Sequence, residues 1–84
     1  MSVRSVIHDQ FKQVAQEQGQ QLAPLSDDLP LVDSGLDSLC FAIVVSRLES
    51  KLGVDPFSTS ELASFPVNLR EFIRLYENAV PSLP

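Results

Sequence analysis

The stretch Gly35-Leu36-Asp37-Ser38-Leu39-Cys40-Phe41-Ala42-Ile43-Val44-Val45-Ser46-Arg47-Leu48-Glu49-Ser50-Lys51-Leu52-Gly53 decides the fold. Asp37 is a good N-cap residue, because its carboxylate can accept from the free N–H groups of a first helical turn. Gly53 offers a left-handed stop. Between them the spacing predicts a helix over 38–52. At about 100° per residue, Phe41, Val44, Val45, Leu48 and Leu52 share one face, the predicted core stripe. Leu39, Ile43, Ser46 and Ser50 point the other way, with Ala42 on the flank. The β-branched run Ile43-Val44-Val45 would suit a strand, but its length and flanking phase favour the helix.

Ser38 therefore sits on the first turn of a helix with an acid beside it. Nothing near it in sequence activates it as a nucleophile. The one histidine, His8, lies thirty residues upstream, and no G-x-S-x-G turn surrounds the serine. A displayed hydroxyl without a base reads as a place where another enzyme attaches a group. A phosphate-bearing adduct suits it, since helix N-termini carry unpaired N–H groups and a partial positive charge.

Outward from this segment, Val3, Ile7, Phe11 and Val14 mark one face of a first helix over about 2–18, with Gly19 as its stop. His8 flanks that face as a surface or boundary residue. Residues 20–37 form a long connection with Pro24, Pro30, Gly35 and the acids Asp27, Asp28, Asp33 and Asp37. It contains no Lys or Arg, and Leu22, Leu25, Leu29, Leu31, Val32 and Leu36 can pin it down. Ser58-Thr59-Ser60-Glu61 is a capping-box pattern for a short third helix over about 59–64. Asn68 offers an N-cap for a fourth, with Pro66 or Val67 as the alternative start, in which Leu69, Phe72, Ile73 and Tyr76 recur at helical spacing and Arg70 and Arg74 are solvated. The expectation is an all-α four-helix bundle with a long first loop and a short third helix. One domain spans 1–84, with an ordered core over about 2–78 and a frayed tail over 79–84.

Composition narrows the function. The 84 residues are 44% hydrophobic with a formal net charge of −5. The acidic balance argues against nucleic acid, which asks for a basic patch, and favours partners with basic surfaces. No apolar run approaches the roughly 20 residues that cross a bilayer, so no membrane insertion is expected. The N-terminus has no signal-peptide core, which makes a cytoplasmic location the default. One cysteine and one histidine at unrelated places hold no metal. Cys40 is expected to be a small semi-buried helix residue, since no neighbouring His or strong field activates it.

The run Leu31-Val32-Asp33-Ser34-Gly35-Leu36-Asp37-Ser38-Leu39, followed by Leu48-Glu49 and Leu52-Gly53-Val54, resembles the acyl carrier and peptidyl carrier protein family. The match covers roughly residues 29–76, and the chain length fits a free-standing carrier. The resemblance implies that Ser38 carries a phosphopantetheine arm, with Asp37 and Leu39 beside it. A phosphopantetheinyl transferase adds the arm from coenzyme A. Its thiol holds an acyl or aminoacyl cargo as a thioester, so the protein is a carrier and not an enzyme. Further partners would be a cargo-loading ligase or synthetase and a downstream transferase or synthase, met by a monomer.

Docking is expected through Leu39, Ala42 and Ile43, with Arg47 setting register. Carriers of bacterial fatty-acid synthesis usually have an acidic second helix. Here that helix holds only Arg47, Glu49 and Lys51, a formal +1, which points to a specialised carrier of secondary metabolism. The competing expectation is a small helical adaptor that docks through the second helix and is never modified.

Overall fold

The computed structural model describes residues 2–56 and 66–80. Three α-helices and one 3-10 turn make up the described fold, which is all-α: α1 Val3–Glu17, the turn Leu31–Asp33, α2 Ser38–Leu52 and α3 Leu69–Ala79. The helix expected over 59–64 and the tail over 81–84 lie outside the described residues, so α3 is the helix that the sequence places fourth. It ends at Ala79.

Each helix begins where a short polar side chain accepts an N–H three residues on. Ser2 accepts from Ser5, Asp37 from Cys40 and Asn68 from Glu71. Such a bond satisfies one of the donors that a helix start leaves unpaired. The Glu71 carboxylate reaches back to the Val67 N–H at 2.8 Å, so the start of α3 is tied from both sides. After α1, Gln20 N–H donates to the Ala15 carbonyl and Gly19 N–H to that of Gln16, the paired bonds of a Schellman stop.

The core forms around α1, which touches both α2 and α3. Ile7, Phe11 and Val14 are fully buried against Val44, Leu48, Leu69, Phe72 and Tyr76. Phe11, Phe41 and Phe72 meet edge to face with centroids 5.3–6.4 Å apart, the favoured geometry for aromatic quadrupoles.

The phase of α2 differs from the expected one. The buried line is Cys40, Val44 and Leu48, whereas Phe41, Val45 and Leu52 are half-buried. At about 100° per residue the centre of burial is rotated roughly 60° toward Cys40. Ile43, expected to point outward, becomes the opposite flank of the same stripe and packs on the core. The reason is that apolar residues occupy most of the circumference of α2. Its own pattern leaves the centre open, and packing against α1 sets it. In α3, apolar residues fill one side only, and Leu69, Phe72, Ile73 and Tyr76 are all buried as expected.

The long connection between α1 and α2 is held by backbone bonds rather than by a helix of its own. Leu31 N–H donates to the Val67 carbonyl at 2.8 Å and Leu69 N–H to that of Leu29 at 2.9 Å, around an isolated antiparallel bridge between Pro30 and Asn68. Arg70 N–H donates to the Asp27 carbonyl. The Asp27 carboxylate meets both Arg4 and Arg70, and Asp28 meets Arg70 at 2.8 Å. Arg70 is thus exposed but paired, which corrects its reading as a merely solvated cation. These contacts tie α1, the loop and α3 together.

Candidate attachment site

The site is assembled from the end of the loop and the first turn of α2. Ser34 is fully buried, and its hydroxyl accepts the Leu36 N–H at 3.3 Å. Its carbonyl accepts the Ala23 N–H at 2.9 Å. Gly35 lies in the left-handed region with φ +97°, and a Cβ placed there would stand 2.0 Å from the Gln21 carbonyl oxygen. Only a residue without a side chain lets the two arms of the loop approach this closely. The chain then enters α2 through Asp37, whose carboxylate accepts the Cys40 N–H at 2.8 Å. That bond, helped by the Cys40 thiol and the Leu39 N–H, holds the Asp37 carboxyl below its ordinary pKa.

Ser38 follows as the first helical residue and is exposed, as is Leu39. A groove of about 290 Å3 runs beside it, lined by Leu31, Val32, Leu36, Asp37, Ser38 and Phe41. Four of the six are apolar. The hydroxyl is accessible, stands at a helix N-terminus and adjoins an apolar trough. These features fit a phosphodiester-linked arm with aliphatic carbons next to the phosphate.

Among the described residues no base is hydrogen-bonded to this hydroxyl. Among the described residues no hydrogen bond joins Ser38 to His8. The His8 imidazole belongs to α1, with its Nε2 buried and without a hydrogen-bond partner among the described residues. Burial, then the charges of Arg4 and Lys12, push its pKa down. Cys40 is more buried than the expected semi-buried residue and lies in the core line. Burial, with the Asp37 carboxylate beside it, pushes the thiol pKa up, which keeps it protonated and unreactive. Among the described residues no group of three or more His, Cys, Asp or Glu could hold a metal. No described helix is long and apolar enough to cross a membrane.

Of the residues expected to dock partners, Leu39 and Ala42 are exposed. Ile43 is half-buried against the core. Arg47 forms an exposed ion pair with Glu17 of α1. The sequence reading missed Val32 as an exposed side chain and Gln21 as the neighbour of Gly35. Neither has a local signature. Val32 sits in a 3-10 turn whose period differs from that of helix or strand, and the approach of Gln21 spans fourteen residues.

The phosphopantetheine attachment site family matches residues 5–75, and the chain belongs to that family. The protein is thus a carrier domain for a phosphopantetheine arm, a non-catalytic role that calls for a phosphopantetheinyl transferase and for enzymes that use the arm. Among curated proteins it is similar to the non-reducing polyketide synthase CTB1 of Cercospora beticola, 35% identical over 54 residues. That alignment covers 64% of this chain and 2% of the relative. No solved structure matches the chain.

Proposed function

We propose that Ser38 is the residue that takes the arm, and that the protein presents an acyl or aminoacyl cargo to partner enzymes in specialised metabolism. The observation that carries this is the exposed, base-free Ser38 hydroxyl on the first turn of α2, beside the apolar groove. Because no base is hydrogen-bonded to Ser38 among the described residues, the transferase takes the serine proton as the Oγ–phosphorus bond forms and the adenosine bisphosphate part of coenzyme A leaves. Once attached, the arm ends in a thiol that forms a thioester with cargo. The chain's own residues fix where the arm starts. Asp37 caps the helix that displays Ser38, and Ser34 and Gly35 lock the loop before it. Leu39 and Ala42 remain exposed beside the arm's root for partners to cover.

The specialised role is supported by the weakly charged α2, whose Arg47 is already paired, and by the similarity to a polyketide synthase. A single carrier domain acting as a monomer is part of the same reading.

The test is intact-mass spectrometry after incubation with coenzyme A and a promiscuous transferase. The parent gains the mass of the arm and Ser38→Ala gains none, while keeping its fold, since an exposed first-turn hydroxyl contributes about 1 kcal/mol or less. Full modification of Ser38→Ala would place the arm elsewhere. A parent that never gains mass would be an unmodified helical adaptor.

A further inference from the structure

His8 is the chain's single histidine, and the attachment site does not use it. It stands on α1 midway between Arg4 and Lys12, at i−4 and i+4, so the three share one face of the helix. The residue is half-buried, and its Nε2 is sealed from water with no hydrogen-bond partner among the described residues. A neutral imidazole fits such a place, because the proton can sit on Nδ1 and leave Nε2 a bare acceptor. An imidazolium has no such choice. Both its nitrogens carry protons, so a charged donor would stand in a sealed position without an acceptor.

The groups around this ring also oppose a further positive charge. On α1, Arg4 and Lys12 repel it, while Asp9 attracts it. From the loop, Asp27 attracts it too, but the Asp27 carboxylate already holds Arg4 and Arg70. On α3, Arg70 is shared between Asp27 and Asp28, and Glu77 acts on Arg4. On α2, Arg47 reaches α1 but meets Glu17, nine residues beyond His8. Burial comes first in the balance and the two cations of α1 next, and together they hold the His8 pKa below its ordinary 6.5.

We propose that His8 is an acid-sensitive latch on the junction of α1, the loop and α3: the neutral ring lets the Arg4–Asp27–Arg70 cluster close, and the protonated ring opens it. Protonation sets three cations in a row on α1, at i, i+4 and i+8. The ring must then leave its sealed position for water or draw Asp27 away from Arg4, and either movement takes α1 off the loop. The bonds at risk are those that join the loop to α3. Arg70 N–H donates to the Asp27 carbonyl at 3.0 Å, Leu69 N–H to that of Leu29 at 2.9 Å, and Leu31 N–H to that of Val67 at 2.8 Å. These bonds fix the loop that ends at Ser38, so the latch sets how firmly the start of α2 is held. The sign follows from the ring's depressed pKa. The contribution of the neutral ring is whole above about pH 6.5 and is lost as pH falls from there through the lower folded value. Carboxylates titrate near about 4, and Arg4 holds Asp27 lower still, so the cluster's anions stay charged across this window.

The experiment is an NMR titration of the full chain from about pH 7.5 to about pH 5, with the single histidine ring followed directly and the backbone amides followed by hydrogen exchange. The ring should titrate below 6.5. Over the same interval the protection factors of the Leu31, Leu69 and Arg70 amides, corrected for the intrinsic pH dependence of exchange, should fall about two- to fivefold, the factor that two like-charge contacts at i, i+4 imply. His8→Gln keeps a polar side chain that does not titrate and should show no fall. Lys12→Gln, at an exposed position, should move the ring's midpoint upward and shrink the fall. The parent's fall is read against its own ring midpoint, so the comparison stands even where a variant folds poorly. An equal fall in His8→Gln would overturn the proposal, as would a ring that titrates above 6.5, which would make Asp27 its counter-ion. An equal fall at the Val44 and Leu48 amides within α2 would replace the latch by a general loss of stability and overturn it as well.

Discussion

Replacing Gly35 by alanine tests how the loop delivers Ser38 to solvent. Two glycines with positive φ serve as a matched pair. Gly53 has φ +72° and nothing within 4 Å of where an alanine methyl would stand, so Gly53→Ala bears only the left-handed backbone cost, about 1 kcal/mol. Gly35 has φ +97°, and its added Cβ would lie 2.0 Å from the Gln21 carbonyl oxygen, where real contacts stay above 3.0 Å. The loop must then open by about an ångström between segments that Ala23 and Ser34 hold with a backbone bond. An overpacking cost of about 1–3 kcal/mol adds to the backbone cost, giving about 2–4 kcal/mol in all. For a domain of this size each kcal/mol lowers Tm by about 4–8 °C, so Gly53→Ala should lose about 4–8 °C and Gly35→Ala more than about 10 °C. Thermal melts followed by circular dichroism measure this directly. At a temperature where both variants are folded, Gly35→Ala should also slow the modification proposed at Ser38, three residues on, while Gly53→Ala should not. Equal melting points for the two would refute the reasoning, because the clash with Gln21 and the larger φ both make Gly35 the costlier site.

The core gives a second expectation. Leu48 is fully buried, so Leu48→Ala should cost about 2–5 kcal/mol, and a melting point within a few degrees of the parent would contradict the observed phase of α2. Ile43→Glu should destabilise by about 1–3 kcal/mol, because the half-buried side chain would bring a carboxylate against the core; a neutral effect in chemical denaturation would restore Ile43 to the surface. Asp37 predicts an acid signature. Its folded pKa lies below the ordinary 3.8, so its contribution is present above that pH and is lost as pH falls through the lower folded value. Asp37→Asn keeps an acceptor for the Cys40 N–H and does not titrate, so its melting point should fall less steeply than the parent's between about pH 5 and pH 2.

The helix ends were legible because capping is local. Asp37 and Asn68 each bond an N–H three residues away, and Gly19 and Gly53 follow the last turns. The exposure of Ser38 was legible for the same reason, since it follows from the cap beside it. The centre of α2 was not, because Cys40, Phe41, Ile43, Val44, Val45 and Leu48 spread apolar character around the helix and the choice among them belongs to α1. The loop was legible only as a loop. What fixes it, from Leu31 bonding Val67 to Asp27 meeting Arg4 and Arg70, joins residues 23 to 43 positions apart, and no window of sequence contains both partners.

The burial of Cys40 has a practical side. It is the chain's single cysteine, it is 2% exposed, and its thiol is held protonated. A maleimide or disulfide reagent applied to the folded protein before modification therefore finds no accessible thiol, whereas after modification it finds the end of the arm alone. Thiol stoichiometry under native conditions becomes a direct count of molecules ready for cargo, and its disappearance on thioester formation reports loading in real time. The same arrangement lets a spectroscopic label be placed at the tip of the arm without mutating the protein.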